Sequence, residues 1–264
     1  MTASGADRRD RCFEVRALAG PPEVARAVAD IVVELVRRRP DAVLGLPTGS
    51  TPLPLYRELI RRAEQGEVSF SAVTVFLLDE FVGLPDDDPR SFLATIRREF
   101  TDAAGIAPDN VHGPSTHGDL DRTCVAYDGA IDRAGGVDLQ LLGIGRNGHI
   151  GFNEPGTPFE LATHVTELAP ETRADAELQF GADEVPTRAI TQGPATILLA
   201  RRALLLATGA TKAPAVAAMV EEAIADTCPA SILRLHQQAS AFVDAGAASA
   251  LADRRRHRPQ GSGR

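Results

Sequence analysis

Six short apolar runs alternate with stretches of helical periodicity along this chain, and that alternation leaves few folds open. The runs cover residues 13–18, 41–46, 73–78, 138–142, 203–207 and 240–244. Continuous apolar runs of this length suit strands buried on both faces, as in parallel sheets assembled from βαβ units. Between them, residues 22–38 place Val24, Val28, Ile31, Val32 and Leu35 at helical spacing, with arginines at the end where a helix dipole favours cations. Further helices are expected over 53–62, 92–100, 122–134, 212–224 and 247–254. The expected fold class is α/β, a parallel sheet with helices on both faces in a single domain spanning 13–252.

A chain of 264 residues that is 44% hydrophobic can bury one large core, and its net charge of -8 argues against nucleic acid or an anionic membrane as partner. A small molecule is the expected partner. Cys12, Cys124 and Cys228 are far apart and form no Cys-x-x-Cys or Cys/His cluster, so free buried thiols are expected and no metal site. The amino terminus has no apolar signal segment, and no run approaches membrane-spanning length, which together predict a cytoplasmic protein. Residues 1–12 and the basic stretch 253–264 are expected to be disordered tails. The region 155–193 shows the least regular pattern and reads as a lid or binding segment.

Four strand-to-loop junctions carry polar groups suited to chemistry. After residue 46 comes Pro47-Thr48-Gly49-Ser50-Thr51-Pro52, where hydroxyls and a helix amino terminus suit a phosphate; a turn in which Ser50 or Thr51 merely caps its own helix is the competing reading. Thr208-Gly209-Ala210-Thr211-Lys212 repeats the design and adds an ammonium group. A lysine at a helix amino terminus opposes the dipole unless an anion offsets it.

The third junction, Asp79-Glu80, sets two carboxylates on opposite faces of extended backbone, so one can face the crevice. Asp79 there either takes a proton from carbon or caps a turn. Asp86, Asp87 and Asp88 lie between prolines and read as a solvated turn. The fourth junction, 143–155, holds Asn147, His149 and Glu154 on a glycine-rich loop. Its Gly143, Gly145 and Gly148 mimic the dinucleotide fingerprint, but Gly151, Asn153, Pro155 and Gly156 make a helix there unlikely. Glu154 is close enough in sequence to orient the His149 imidazole.

The segments Leu44 to Pro52, Leu78 to Leu84 and Gly145 to Pro155 together, in order and approximate spacing, resemble the glucosamine-6-phosphate deaminases. The resemblance implies a Rossmann-like fold and conversion of an amino-sugar phosphate, glucosamine 6-phosphate, to fructose 6-phosphate and ammonia, with no cofactor. It implies that His149 moves a proton between ring oxygens, assisted by Glu154 and Asn147, while Asp79 shuttles a proton between carbon 2 and carbon 1. Thr48, Gly49, Ser50, Thr51 and Lys212 match positions around the sugar and its phosphate. The family includes monomers and hexamers, which leaves a homo-oligomer open.

The chain departs from the family in two places. Many members carry an arginine on the phosphate where this chain has Leu178, and Arg173 or Arg188 are candidates to compensate. Losing such a contact costs roughly 1.5–3 kcal/mol of binding. His164 and Thr166 stand where allosteric members hold basic residues, so activation by an N-acetylated sugar phosphate is expected to be weak or absent. Competing expectations are a 6-phosphogluconolactonase-type hydrolase, which typically follows its Gly-His step with Thr-Ala-Ser-Leu-Phe-Pro, and a noncatalytic sugar-phosphate-binding homologue.

Overall fold

A computed structural model describes residues 13–85, 87–181 and 185–252. The expected tails 1–12 and 253–264, together with Cys12 and Asp86, lie outside these residues. Ten strands are present among the described residues: β1 (Glu14–Leu18), β2 (Val43–Leu46), β3 (Thr74–Leu77), β4 (Asp79–Phe81), β5 (Val111–His112), β6 (Leu139–Leu142), β7 (His164–Glu167), β8 (Arg188–Thr191), β9 (Ala203–Ala207) and β10 (Ala239–Asp244). Seven of them form a parallel sheet in the order β1-β10-β9-β6-β2-β3-β5, and β4-β8-β7 form a small antiparallel sheet. The helices are α1 (Pro21–Arg38), α2 (Leu53–Glu64), α3 (Phe92–Ile96), α4 (Leu120–Arg133), α5 (Pro170–Phe180), α6 (Pro194–Leu198) and α7 (Ala213–Glu221).

Helix α1 opens with two prolines and Glu23 in its first turn, which suit unpaired N–H groups and the positive end of the dipole, and it closes on Arg37 and Arg38. Its buried face is mostly valine, and fully buried Val28 and Val32 each contribute about 1.5–3 kcal/mol. That face joins α2 over Leu44, Leu46, Val75 and Leu77. On the other face of the sheet, α4 covers Val43 and Phe76, while α7 covers Leu142 and Leu205. Helices therefore lie on both faces, in one domain.

All six expected strands are present, within about two residues of their expected limits. Residues 92–100 divide into α3 and a π-helical turn, Arg97–Thr101, and a 3-10 turn, Ala210–Lys212, precedes α7. Over the described part of the helix expected at 247–254, residues 247–252, no helix forms: 245–250 make successive turns, and 253–254 lie outside the described residues. Asp244 draws the chain back there by accepting N–H donors from both Ala247 and Gly209. Region 155–193 is more regular than expected, because it supplies β7, α5 and β8. Asp88 is buried rather than solvated, and Arg90 holds its carboxyl below the ordinary range through side-chain and backbone hydrogen bonds. Cys124 and Cys228 are buried free thiols. Among the described residues no helix is long and apolar enough to cross a membrane.

Candidate active site

Strands β9, β6, β2 and β3 are neighbours in the sheet, so the four polar junctions leave its carboxyl edge side by side. From β2 the chain proceeds to β3 and β5 on one side, while β6 returns on the other. A switch of that kind opens a crevice. The crevice here is a cleft of about 840 Å³, lined by Thr48, Gly49, Ser50, Thr51, Asp79, His149 and Lys212 among others.

The β2 junction turns through Gly49 at φ 101°, and α2 begins behind it with Pro52 as its N-cap residue and no side-chain cap. Pro52 has no side-chain acceptor with which to cap the helix, and Ser50 and Thr51 line the cleft. Across it, Lys212 is the N-cap residue of α7. Its loop is braced by Asp244, whose two oxygens accept from Gly209 N at 3.0 and 3.1 Å.

Asp79 is buried at the start of β4, where the chain passes from one sheet to the other. The strand end before it is pinned by Tyr127 Oη and Gln192 Nε2, which donate to Leu77 O at 2.7 and 2.9 Å. Burial, and then the charge of Glu80, push the Asp79 carboxyl up to about 8. Glu80 points the other way, as extended backbone requires, and accepts from the N–H groups of Phe81, Phe92 and Leu93, each at 2.9 Å. It anchors the start of α3, while Asp79 faces the cleft.

The β6 junction forms no helix after Gly148, so the dinucleotide reading fails on its own requirement. Instead the loop folds back, with Gly145 N donating to His149 O. The His149 ring rests against Gly145, where a Cβ would strike it. His149 Nδ1 lies 3.3 Å from Glu154 Oε2, an ion-pair distance without a directed hydrogen bond. Asn147 Nδ2 donates to the same oxygen at 2.7 Å, and Thr172 Oγ1 donates to Oε1 at 2.6 Å. Burial works against the Glu154 charge, but His149, Thr172 and Asn147 outweigh it and hold the carboxyl at about 2.

Three contributors escaped the sequence reading. Thr172 enters from α5, and Thr191 on β8 both pairs opposite Asp79 and accepts from Phe152 N at 3.1 Å, tying the two carboxylate-bearing segments together. Asn153 fastens the loop by donating to Ile150 O and Gln192 O, both at 2.8 Å. Leu178 falls on α5. Neither Arg173 nor Arg188 lines the cleft; besides Lys212, its cations are Arg90 and Arg98. No group of three His, Cys, Asp or Glu side chains is gathered for a metal ion among the described residues.

The α/β fold thus brings a buried carboxyl, a histidine set against a carboxylate, and a lysine to one crevice at its sheet edge. The profile of the family described as glucosamine-6-phosphate isomerases/6-phosphogluconolactonase matches residues 19–242, and the chain belongs to that family. It is 51% identical over 249 residues to the glucosamine-6-phosphate deaminase of Pseudarthrobacter chlorophenolicus, covering 93% of this chain and 96% of that one. The deaminase of Streptomyces coelicolor is 48% identical over 235 residues, covering 87% and 90%. Among solved structures, a monomeric glucosamine-6-phosphate deaminase superposes with a TM-score of 0.87 at 41% identity, covering 90% of this chain and 100% of that one. The 6-phosphogluconolactonase from Leishmania guyanensis superposes at 0.72 with 22% identity, covering 92% and 100%, a likeness of fold alone.

Proposed function

We propose that this chain is an enzyme that isomerises and deaminates glucosamine 6-phosphate, giving fructose 6-phosphate and ammonia. The observation that carries the reading is one cleft holding two separate acid–base devices: a buried carboxyl raised to about 8 and a histidine against a carboxylate held at about 2. Groups whose environments drive their acidities apart are suited to different proton transfers.

In this reading the phosphate lies against Thr48, Gly49, Ser50, Thr51 and Lys212, and the sugar extends toward Asp79 and His149. His149 takes the proton from the anomeric hydroxyl and delivers it to the ring oxygen, opening the ring; Glu154 orients the imidazole, and Asn147 holds Glu154 in place. Asp79 then removes the proton on carbon 2 and returns it to carbon 1. A proton leaves the amine nitrogen as one reaches the carbon 1 oxygen, and the imine so formed at carbon 2 is hydrolysed by water to the ketose and ammonia. The ammonia leaves from carbon 2, so each turnover yields one ketose and one ammonia.

The proposed substrate is a phosphorylated sugar, which does not cross membranes unaided, and this supports a cytoplasmic enzyme. Residues 13–252 form the functional unit.

Ammonia and fructose 6-phosphate should be measured together from purified protein, with Asp79→Asn as control. Equal release of both by wild type is expected. Binding of glucosamine 6-phosphate without either product would overturn the reading in favour of a noncatalytic sugar-phosphate-binding protein.

A further inference from the structure

The two oxygens of Glu154 are served from different parts of the fold. Oε2 takes Asn147 and faces His149, both from its own loop. Oε1 takes Thr172 Oγ1, which arrives from α5, eighteen residues further along the chain. A terminal carboxylate torsion is broad and roughly two-fold, so a carboxylate fixed through one oxygen can still swing. A second, charge-assisted donor stops it.

Helix α5 is otherwise seated largely on apolar surface. Phe180 meets Phe81 edge-on at 5.1 Å between ring centroids, Ala176 packs on the same cluster, and the Arg90 guanidinium lies 5.0 Å from the Phe180 ring centroid. Thr172 is half-buried and itself lines the cleft. The hydroxyl thus converts the seating of a helix into the orientation of a carboxylate beside the histidine.

We propose that Thr172 is a positioning residue for ring opening: its hydroxyl locks Glu154, and through it His149, so the pair is set only when α5 rests on its aromatic bed. The inference rests on His149 acting as the ring-opening group. Valine at 172 keeps the shape and loses the donor, whereas serine keeps the donor.

The test is a double-mutant cycle. With glucosamine 6-phosphate as substrate, Thr172→Val is expected to lower kcat roughly ten-fold, while Thr172→Ser stays within about two-fold of wild type. KM should change little in either variant. In a Glu154→Gln background, Thr172→Val should cost nothing further. A merely structural role would give losses that multiply, and that result, or full kcat in Thr172→Val, overturns the inference while wild-type turnover upholds the deaminase reading. If wild type itself releases no ammonia, the functional reading falls and takes the inference with it, even where the same cycle in urea midpoints shows Thr172 and Glu154 coupled.

Discussion

Asp79 is the residue whose environment matters most. The folded protein keeps its proton up to about 8, while an unfolded chain gives it up near the ordinary 3.8. The folded state therefore binds more protons between these values, so the stabilising contribution is full below about 3.8 and is lost as pH rises toward 8. Asp79→Asn should accordingly gain stability over wild type by an amount that grows across that window and then levels off, as thermal midpoints measured at several pH values will show. In the proposed reaction Asp79 is the base and must be ionised, so kcat/KM is expected to rise with pH toward an inflection near 8; Asp79→Asn should lose roughly a hundred- to ten-thousand-fold. Gly145 is the second sensitive position. A methyl group there meets the His149 ring, so Gly145→Ala should cost roughly a hundred-fold in kcat with unchanged far-UV circular dichroism, because misplacing a reacting group by about 1 Å carries that penalty.

Among elements, the short strand β4 and short helix α3 depend on Glu80. Its carboxylate satisfies three backbone donors. Glu80→Ala leaves them unserved and should cost about 1–3 kcal/mol in urea denaturation. Since the Glu80 charge also helps to raise Asp79, the same variant should move the rising limb of the rate profile to lower pH. The elements legible in the sequence were those with strong periodicity: the long valine face of α1 and the buried runs of the parallel sheet. Missed were β5, only two residues long, and the β4-β8-β7 sheet, whose three- and four-residue strands are set by pairing partners far away in sequence. Helix α5 was missed because its polar and small residues present no clear apolar stripe. The turn at 245–250 was misread because Ala247, Ala248 and Leu251 are apolar at helical spacing, yet they are buried by turns that Asp244 holds in place.

At the scale of the whole molecule, the convergence of the candidate site was legible wherever its residues lay in one contiguous loop. Asp79, His149, Thr48 to Thr51 and Lys212 all leave neighbouring strand ends and line one cleft, with Glu154 set against His149. Thr172 and Thr191 carried no local signal, since a threonine becomes a donor to a particular carboxylate or a brace between two segments only once the chain has folded. Bringing four polar strand ends to one edge of the sheet gathers hydroxyls, a lysine and acid–base groups there, and a ligand seated among them should stabilise the entire domain. Fructose 6-phosphate at a hundred times its dissociation constant is expected to add about 2.7 kcal/mol, read as a concentration-dependent thermal shift. Lys212→Met should shrink that shift.

The two acid–base devices hang from different mounts, His149 and Glu154 from the end of β6 and Asp79 from the seam where β3 becomes β4. Disabling one need not disturb the other. An Asp79→Asn protein, unable to move the carbon-bound proton, should still open and reclose the sugar ring. It would then act as an anomerase, interchanging the α and β forms of glucosamine 6-phosphate faster than buffer alone, which polarimetry or exchange-resolved NMR would register as accelerated mutarotation without any ketose.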